Sequence, residues 1–569
     1  MDLTPIITAA RGDAPADLLL TNARMVNVFS GRINRGSIAV KNGYIVGLSD
    51  CAACASIDLA GRYVAPGFID AHVHIESAMT GVTEFARSVA PCGTTTVVAD
   101  PHEIANVLGA PGIDYMLRSA ADQPMECLFA LPSCVPATDM ETAGARLGAG
   151  DLEAFMDHPR IVALAEMMNF PGVIFTDADV MAKLTMARNH RLPMDGHAPG
   201  LTGRRLFAYT AAGIASDHEC TRAGEALEKL ELGMHIMVRE GTCARNLDAL
   251  FPVINEDTWP RMMWCTDDRH PHDLLDEGHV DAVIRKAIAK GLDPVTAIRM
   301  GTINPADYFG IKDAGAIAPG RRADLVVFSD LADIRAERVF SMGRQVAENG
   351  RLLPDAPRPA PVAAPPSMNL DPRSLDFSIR AAGKRMRVIR IVADQVVTGC
   401  EIMDAAEKDG AVVADVTRDV IKLAVVERYS GQARIGKGFV TGLGLNRGAI
   451  ASSVAHDSHN IIVAGAADVD MQAAVTAVVE MGGGLAAIAD GKILATLPLP
   501  IAGLMSDQPM ETVRRRLDEI IAATQALGTP LVDPFMTLGF LALPVIPDLK
   551  LTDKGLVDVT GFELVSLFV

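Results

Sequence analysis

From about residue 66 to 312 the chain repeats one pattern: a short apolar run rich in β-branched residues, a polar residue at its end, then a helical stretch. The runs are GFIDAHVH, GTTTVVADPH, CLFALPS, IVALAE, LPMDGH, GIASDH, HIMVRE and MMWCTDD. Continuous apolar strands separated by helices suit a parallel sheet covered on its faces. Eight strand-then-helix units in roughly 250 residues fit an α/β fold of the (β/α)8, TIM-like type. A doubly wound open sheet is the alternative that alternation alone leaves open.

Both flanks of this block read differently. Residues 17–65 form short strands with turns, among them a hairpin with Asn42-Gly43 at its tip, and a similar texture returns after residue 314. Residues 1–65 and 314–352 are therefore expected to build one composite β-sandwich-like domain, with the barrel, 66–313, inserted between them. Residues 353–374 carry seven prolines between Leu353 and Pro372 and read as a linker or a wrapped, extended crossing. Residues 375–569 alternate apolar strands with two amphipathic helices and read as a C-terminal α+β domain.

A chain of 569 residues, 49% hydrophobic and 21% charged, suits a large globular core in more than one domain. The net charge of −18 argues against nucleic acid or an anionic membrane as the main partner. A nucleobase substrate, which carries no phosphate, is still compatible with it. The N-terminus lacks a basic segment followed by an apolar one, and no apolar stretch has the length of a membrane span. Nine scattered cysteines fit a reduced, cytoplasmic protein with buried thiols. Cys51 and Cys54 match C-x-x-C, but no second pair follows at zinc-ribbon spacing. A homo-oligomer, a dimer or higher, is expected of a long apolar chain of this type.

A barrel places its chemistry at the C-terminal ends of its strands. Those ends here are Asp70, His72 and His74, which share one side at period two; Asp100 and His102; Ser133; Glu166; His197; His218; and Asp267-Asp268. A single histidine in a strand is more often a hydrogen-bonded core residue than a ligand. So many imidazoles and carboxylates at one barrel mouth would leave buried charge uncompensated unless one or two divalent ions sat among them. Mixed imidazole and carboxylate donors suit Mn2+, Fe2+ or Zn2+ better than Ca2+ or Mg2+.

The motifs PGFIDAHVHIES, GTTTVVADPHEIANVLG, LPSCVPAT, MDGHAPGL, SDHE, CTDDRHP and GLNRGAIASSVAHDSHNIIVAG resemble the amidohydrolase superfamily, and within it the bacterial-type adenine deaminases, from about residue 17 to 569. The resemblance implies a two-metal site: His72 and His74 on one ion, His197 and His218 on the other, Glu166 bridging, and Asp267 on the first ion. Manganese or iron are the favoured metals and zinc is possible. It implies a small-molecule substrate, adenine, deaminated to hypoxanthine and ammonia in purine salvage by a water activated between the ions. In that chemistry Asp267 relays the proton. Glu76 is the candidate donor to the ring nitrogen, or else orients a histidine.

Asp100 and His102 would orient the water, contact substrate or hold a further ion. Ser133, Asp268 and His456 are candidate substrate contacts, and the His456/His459 loop is expected over the barrel mouth. Many relatives bridge their ions with a carboxylated lysine. This sequence has no lysine from Arg62 to Ala182, and Lys183 and Lys229 lie in helical stretches. The single-zinc deaminase signature is only half met, because Pro91-Cys92 lacks the second cysteine. Two other readings remain: a hydrolase of another nucleobase, a cyclic amide or an N-acyl substrate, with the same metal site; and a non-catalytic scaffold on the same fold.

Overall fold

The eight apolar runs become eight parallel strands: β1 (Phe68–His74), β2 (Thr94–Ala99), β3 (Glu126–Leu131), β4 (Ile161–Met167), β5 (Met194–Gly196), β6 (Ser216–Asp217), β7 (His235–Arg239) and β8 (Met262–Cys265). The structure is a computed structural model that describes residues 2–392 and 395–569. β1 to β5 pair in sequence, as do β6 to β8. Beyond β8, Asp267 pairs opposite Val73 and Asp268 opposite His74, which returns the sheet to β1. All seven residues of β1 and all six of β2 are buried, as strands walled by helices must be.

The remaining seam lies between β5 and β6, where no ladder forms among the described residues. Three hydrogen bonds join it: Ala215 N donates to the Met194 carbonyl at 2.9 Å, the Ser216 hydroxyl donates to Asp195 Oδ1 at 2.7 Å, and Gly196 N donates to Ser216 Oγ at 3.4 Å. Glycine is required here, because a Cβ on Gly196 would lie 2.3 Å from the Ser216 carbonyl oxygen.

Strict alternation fails in β1. Ile69 and Ala71 join Val98, Leu128, Ala163, Met237 and Met263 in the apolar filling of the barrel. The pairing of β1 with β2 slips between Asp70 and Val73, and that irregularity turns His72 and His74 inward as well. Asp70 therefore does not share the mouth with them. It accepts from Thr266 N at 3.1 Å and the Thr266 hydroxyl at 2.5 Å, and lies 3.1 Å from His279 Nε2.

Tyr63–Pro66 pairs with Ala16–Asn27 on one side and with Leu325–Phe328 on the other, so one nine-stranded sheet draws strands from both ends of the barrel segment. The Asn42-Gly43 turn joins Lys41 to Tyr44 with φ of 51° and 82°, the positive pair that a tight two-residue hairpin needs. The Pro-rich stretch has no regular structure from 358 to 371. Val362 and Ala364 pack on the barrel side, and Met368 and Leu370 on the C-terminal sheet.

The C-terminal unit is an eight-stranded sheet between the helix Asp468–Glu480 on one face and the helices Met510–Gln525 and Pro534–Phe540 on the other. It touches the barrel just past β1, where Ser506 N donates to the Met79 carbonyl at 2.8 Å. Among the described residues no helix is long and apolar enough to cross a membrane, and the nine cysteines form no disulfide.

The Gly196 contact sets a test of the seam. Gly196→Ala should lower unfolding free energy by about 2 kcal/mol, because overpacking against backbone cannot relax by rotamer change. The readout is the urea midpoint.

Candidate metal centre and substrate pocket

Four imidazoles and two carboxylates converge at the C-terminal ends of β1, β4, β5, β6 and β8. His72 Nε2 lies 3.2 Å from His74 Nε2 and 3.2 Å from Asp267 Oδ1. Glu166 Oε1 lies 3.3 Å from His74 Nε2, while Glu166 Oε2 lies 2.5 Å from His197 Nδ1 and 3.3 Å from His218 Nε2. The two oxygens of Glu166 thus face two different histidine pairs.

These residues are buried, apart from a quarter-exposed His197 side chain. Burial would push the Glu166 carboxyl up, but the His197 and His218 imidazoles reverse this and hold it well below the usual carboxylate range. Burial would likewise raise Asp267, and the Arg239 guanidinium with His72 and His74 brings it well below.

The donor set fits divalent ions. Ligands about 2.1 Å from a tetrahedral ion stand roughly 3.4 Å apart, close to most of the spacings observed. His218 Nε2 has no hydrogen-bond partner although it is buried, as a ligand nitrogen would be. His74 Nδ1 faces the Asp100 carbonyl at 3.1 Å, so its proton belongs there and Nε2 is free to ligate. Asp267 sits at φ 57°, a strained left-handed conformation of the kind that collects at functional sites.

A second layer fixes these side chains. The Ser133 hydroxyl donates to the Glu166 carbonyl at 2.5 Å, so it steadies β4 and is turned from the pocket. Tyr209 OH accepts from His197 N at 3.0 Å and donates to the Met167 carbonyl at 2.9 Å. Asp100 and His102 meet through a turn, because β2 ends at Ala99: His102 Nδ1 lies 3.2 Å from Asp100 Oδ2 and 3.6 Å from Glu166 Oε1. Lys183 and Lys229 lie on the helices Ala178–His190 and Ala223–Glu231 and are engaged elsewhere, Lys183 by the Ser133 carbonyl and Lys229 by Asp217 and Glu225.

Beside the centre is a narrow, partly open cleft. Its barrel wall includes Glu76, Glu103, Asp268 and His270, and its other wall includes His456 and His459. Glu76 gets there differently from a continued strand, because β1 stops at His74 and Ile75–Ala78 forms a 3-10 turn. Its Oε1 accepts from Ile104 N at 3.2 Å, its Oε2 has no partner, and burial with the neighbouring Glu103 charge pushes its carboxyl up to about 7. The Ser77 hydroxyl donates to Asp268 Oδ1 at 2.5 Å.

Four residues at the site carry no assignment in the strand-end reading. Arg239, the last residue of β7, lies 3.0 Å from Asp267 Oδ2 and pairs with Glu219. Glu219 also lies 3.5 Å from His218 Nε2. His270 lies 3.2 Å from Asp533 of the C-terminal unit. Glu103 meets His456 and His459. Arg239 was open to detection as a strand-end residue; Glu103 and His270 depend on contacts across the chain.

A parallel barrel with imidazoles and carboxylates set at ligand spacing on its rim defines a metal-dependent hydrolase fold and centre. Residues 63–350 match the Amidohydrolase family, and residues 395–563 match the Adenine deaminase C-terminal domain. Relatives of full length include adenine deaminase of Desulfatibacillum aliphaticivorans, 56% identical over 99% of both chains. Others are adenine deaminases of Methanothrix thermoacetophila, 49% identical over 100% of both, and of Kosmotoga olearia, 48% identical over 100% of this chain and 99% of the other. The chain belongs to the amidohydrolase family, in the branch that carries the adenine deaminase C-terminal domain.

The shared carboxylate sets the first test of the centre. Glu166→Gln should lose bound metal and turnover together, read by elemental analysis beside an activity assay; retention of both would refute the bridging role.

Proposed function

We propose that the protein is an adenine deaminase that hydrolyses adenine to hypoxanthine and ammonia in purine salvage. The observation that carries this reading is the pairing of the rim cluster with an adjoining cleft whose far wall comes from the C-terminal unit, in a chain similar to curated adenine deaminases over its whole length.

His72, His74 and Asp267 would hold one divalent ion, His197 and His218 a second, and Glu166 would bridge them; manganese or iron is favoured and zinc is compatible. When bound, such a pair of ions lowers the pKa of water toward neutrality and so supplies a nucleophile. The protein's own groups do the rest. Asp267 Oδ1 faces the centre while its Oδ2 is held by Arg239, and Oδ1 takes the proton of the attacking water as it adds to C6 of the ring. Glu76, whose carboxyl burial pushes up to about 7, gives its proton to N1 as C6 becomes tetrahedral. Asp267 returns its proton to the departing amine, ammonia leaves, and the proton remaining on the C6 hydroxyl restores Glu76 as the carbonyl forms.

His102 and Asp100, beside Glu166, orient the water, and Asp268 and His456 line the substrate side. The two histidine pairs around Glu166 and the engagement of both nearby lysines support this ligand set over a carboxylated-lysine bridge.

Purified protein should carry about two transition-metal ions per chain, and a chelator should abolish activity. Across adenine, adenosine, guanine, cytosine, dihydroorotate and hydantoin, ammonia release should be fastest from adenine. No release from adenine would overturn the substrate assignment. Glu76→Gln should lower kcat by about 10²- to 10⁴-fold with metal content unchanged, the range for loss of a general acid.

A further inference from the structure

Glu103 is the first glutamate after the β2 turn, and the C-terminal unit grips it from the far side of the pocket. His456 Nδ1 lies 3.0 Å from Glu103 Oε1, and His459 Nε2 meets Glu103 Oε2 directly. All three side chains line the pocket, and Glu103 and His459 are almost fully buried.

The three groups could also be taken for a metal site, but the proton on His459 decides otherwise. Its Nδ1 accepts a hydrogen bond from Ala455 N at 3.1 Å. A neutral imidazole that accepts at Nδ1 carries its proton at Nε2, so Nε2 donates to Glu103 and has no lone pair to ligate with.

The loop is built to hold this geometry. His459 sits at φ 52°, a strained conformation for a non-glycine residue. Its carbonyl accepts from the fully buried Arg428 Nε at 2.6 Å, and that guanidinium also donates to the Ala502 carbonyl at 3.0 Å. Towards the barrel, the Ser458 hydroxyl donates to Glu141 Oε2 at 2.7 Å and Asn460 Nδ2 to the Thr142 carbonyl at 2.8 Å. The His456 ring stacks on Phe540, with centroids 4.6 Å apart.

We propose that His456 and His459 are positioning residues of the active site: from the C-terminal unit they fix the Glu103 carboxylate on the pocket wall as an acceptor for the N–H donors of a planar nitrogen heterocycle. A carboxylate oxygen has more than one acceptor direction, so each oxygen can hold its histidine and still receive a substrate N–H. The C-terminal unit thereby takes part in substrate recognition while the metal ligands stay on the barrel. This inference rests on the deaminase reading.

A double-mutant cycle tests it. His459→Ala in the holoenzyme should raise the KM for adenine about tenfold, the cost of one lost charge-assisted hydrogen bond, with kcat within about threefold and metal content unchanged. In a Glu103→Gln background the same substitution should add less than twofold. An unchanged KM, independent effects in the double variant, or loss of metal from His459→Ala would each overturn the proposal. Should His459→Ala not fold, His456→Asn reads the other oxygen of Glu103 by the same criteria. Wild-type protein that releases no ammonia from adenine would fail earlier, at the deaminase reading, and would take this inference with it.

Discussion

The structure turns on the burial of one carboxylate. Glu166 is enclosed at the end of β4, and each of its oxygens faces a different pair of imidazoles. An isolated carboxylate in that position would carry a large desolvation penalty. Four histidines from three separate strand ends offset it, and they reach it only because the sheet curls until β1, β4, β5 and β6 share one rim. The seam at Gly196 and the slip in β1 pairing both serve this convergence: one lets β5 approach β6, the other turns His72 and His74 inward beside Ile69 and Ala71.

Around that carboxylate the molecule divides its labour between rigid and adaptable parts. The rim groups project from strand ends and are tied by Tyr209, Ser133 and Arg239 to neighbouring backbone and side chains. The pocket is assembled from turns: Ile75–Ala78 after β1, the start of the helix His102–Leu108 after β2, and the loop around His456 to Asn460. Turns vary more freely than strand ends, so the substrate wall can be changed with the rim left intact. This matches a family in which one barrel serves many hydrolytic reactions.

Much of this was legible in the amino-acid sequence. Strand texture marked all eight barrel strands. The last polar residue of each run picked out His72, His74, Glu166, His197, His218 and Asp267, because a parallel barrel exposes those positions together. Period two misjudged Asp70, since it assumes an unbroken ladder and the β1 register slips beside it. The route of Glu76 into the pocket was misjudged for a related reason: the chain turns after His74 where extension was assumed.

The sequence by itself determined the kind of fold and the chemical types gathered at its mouth, because both follow from local spacing: apolar runs of strand length, helical segments between them, and ligand-type residues at the ends of five of the runs. Only the tertiary structure decided which groups touch. Glu103 and His459 are 356 residues apart, Thr142 and Asp553 are 411 apart, and His270 meets Asp533, the residue that caps the helix Pro534–Phe540. No periodicity encodes such contacts. They arise where the two units bury polar surface against each other and most of the polar groups enclosed there pair across the interface.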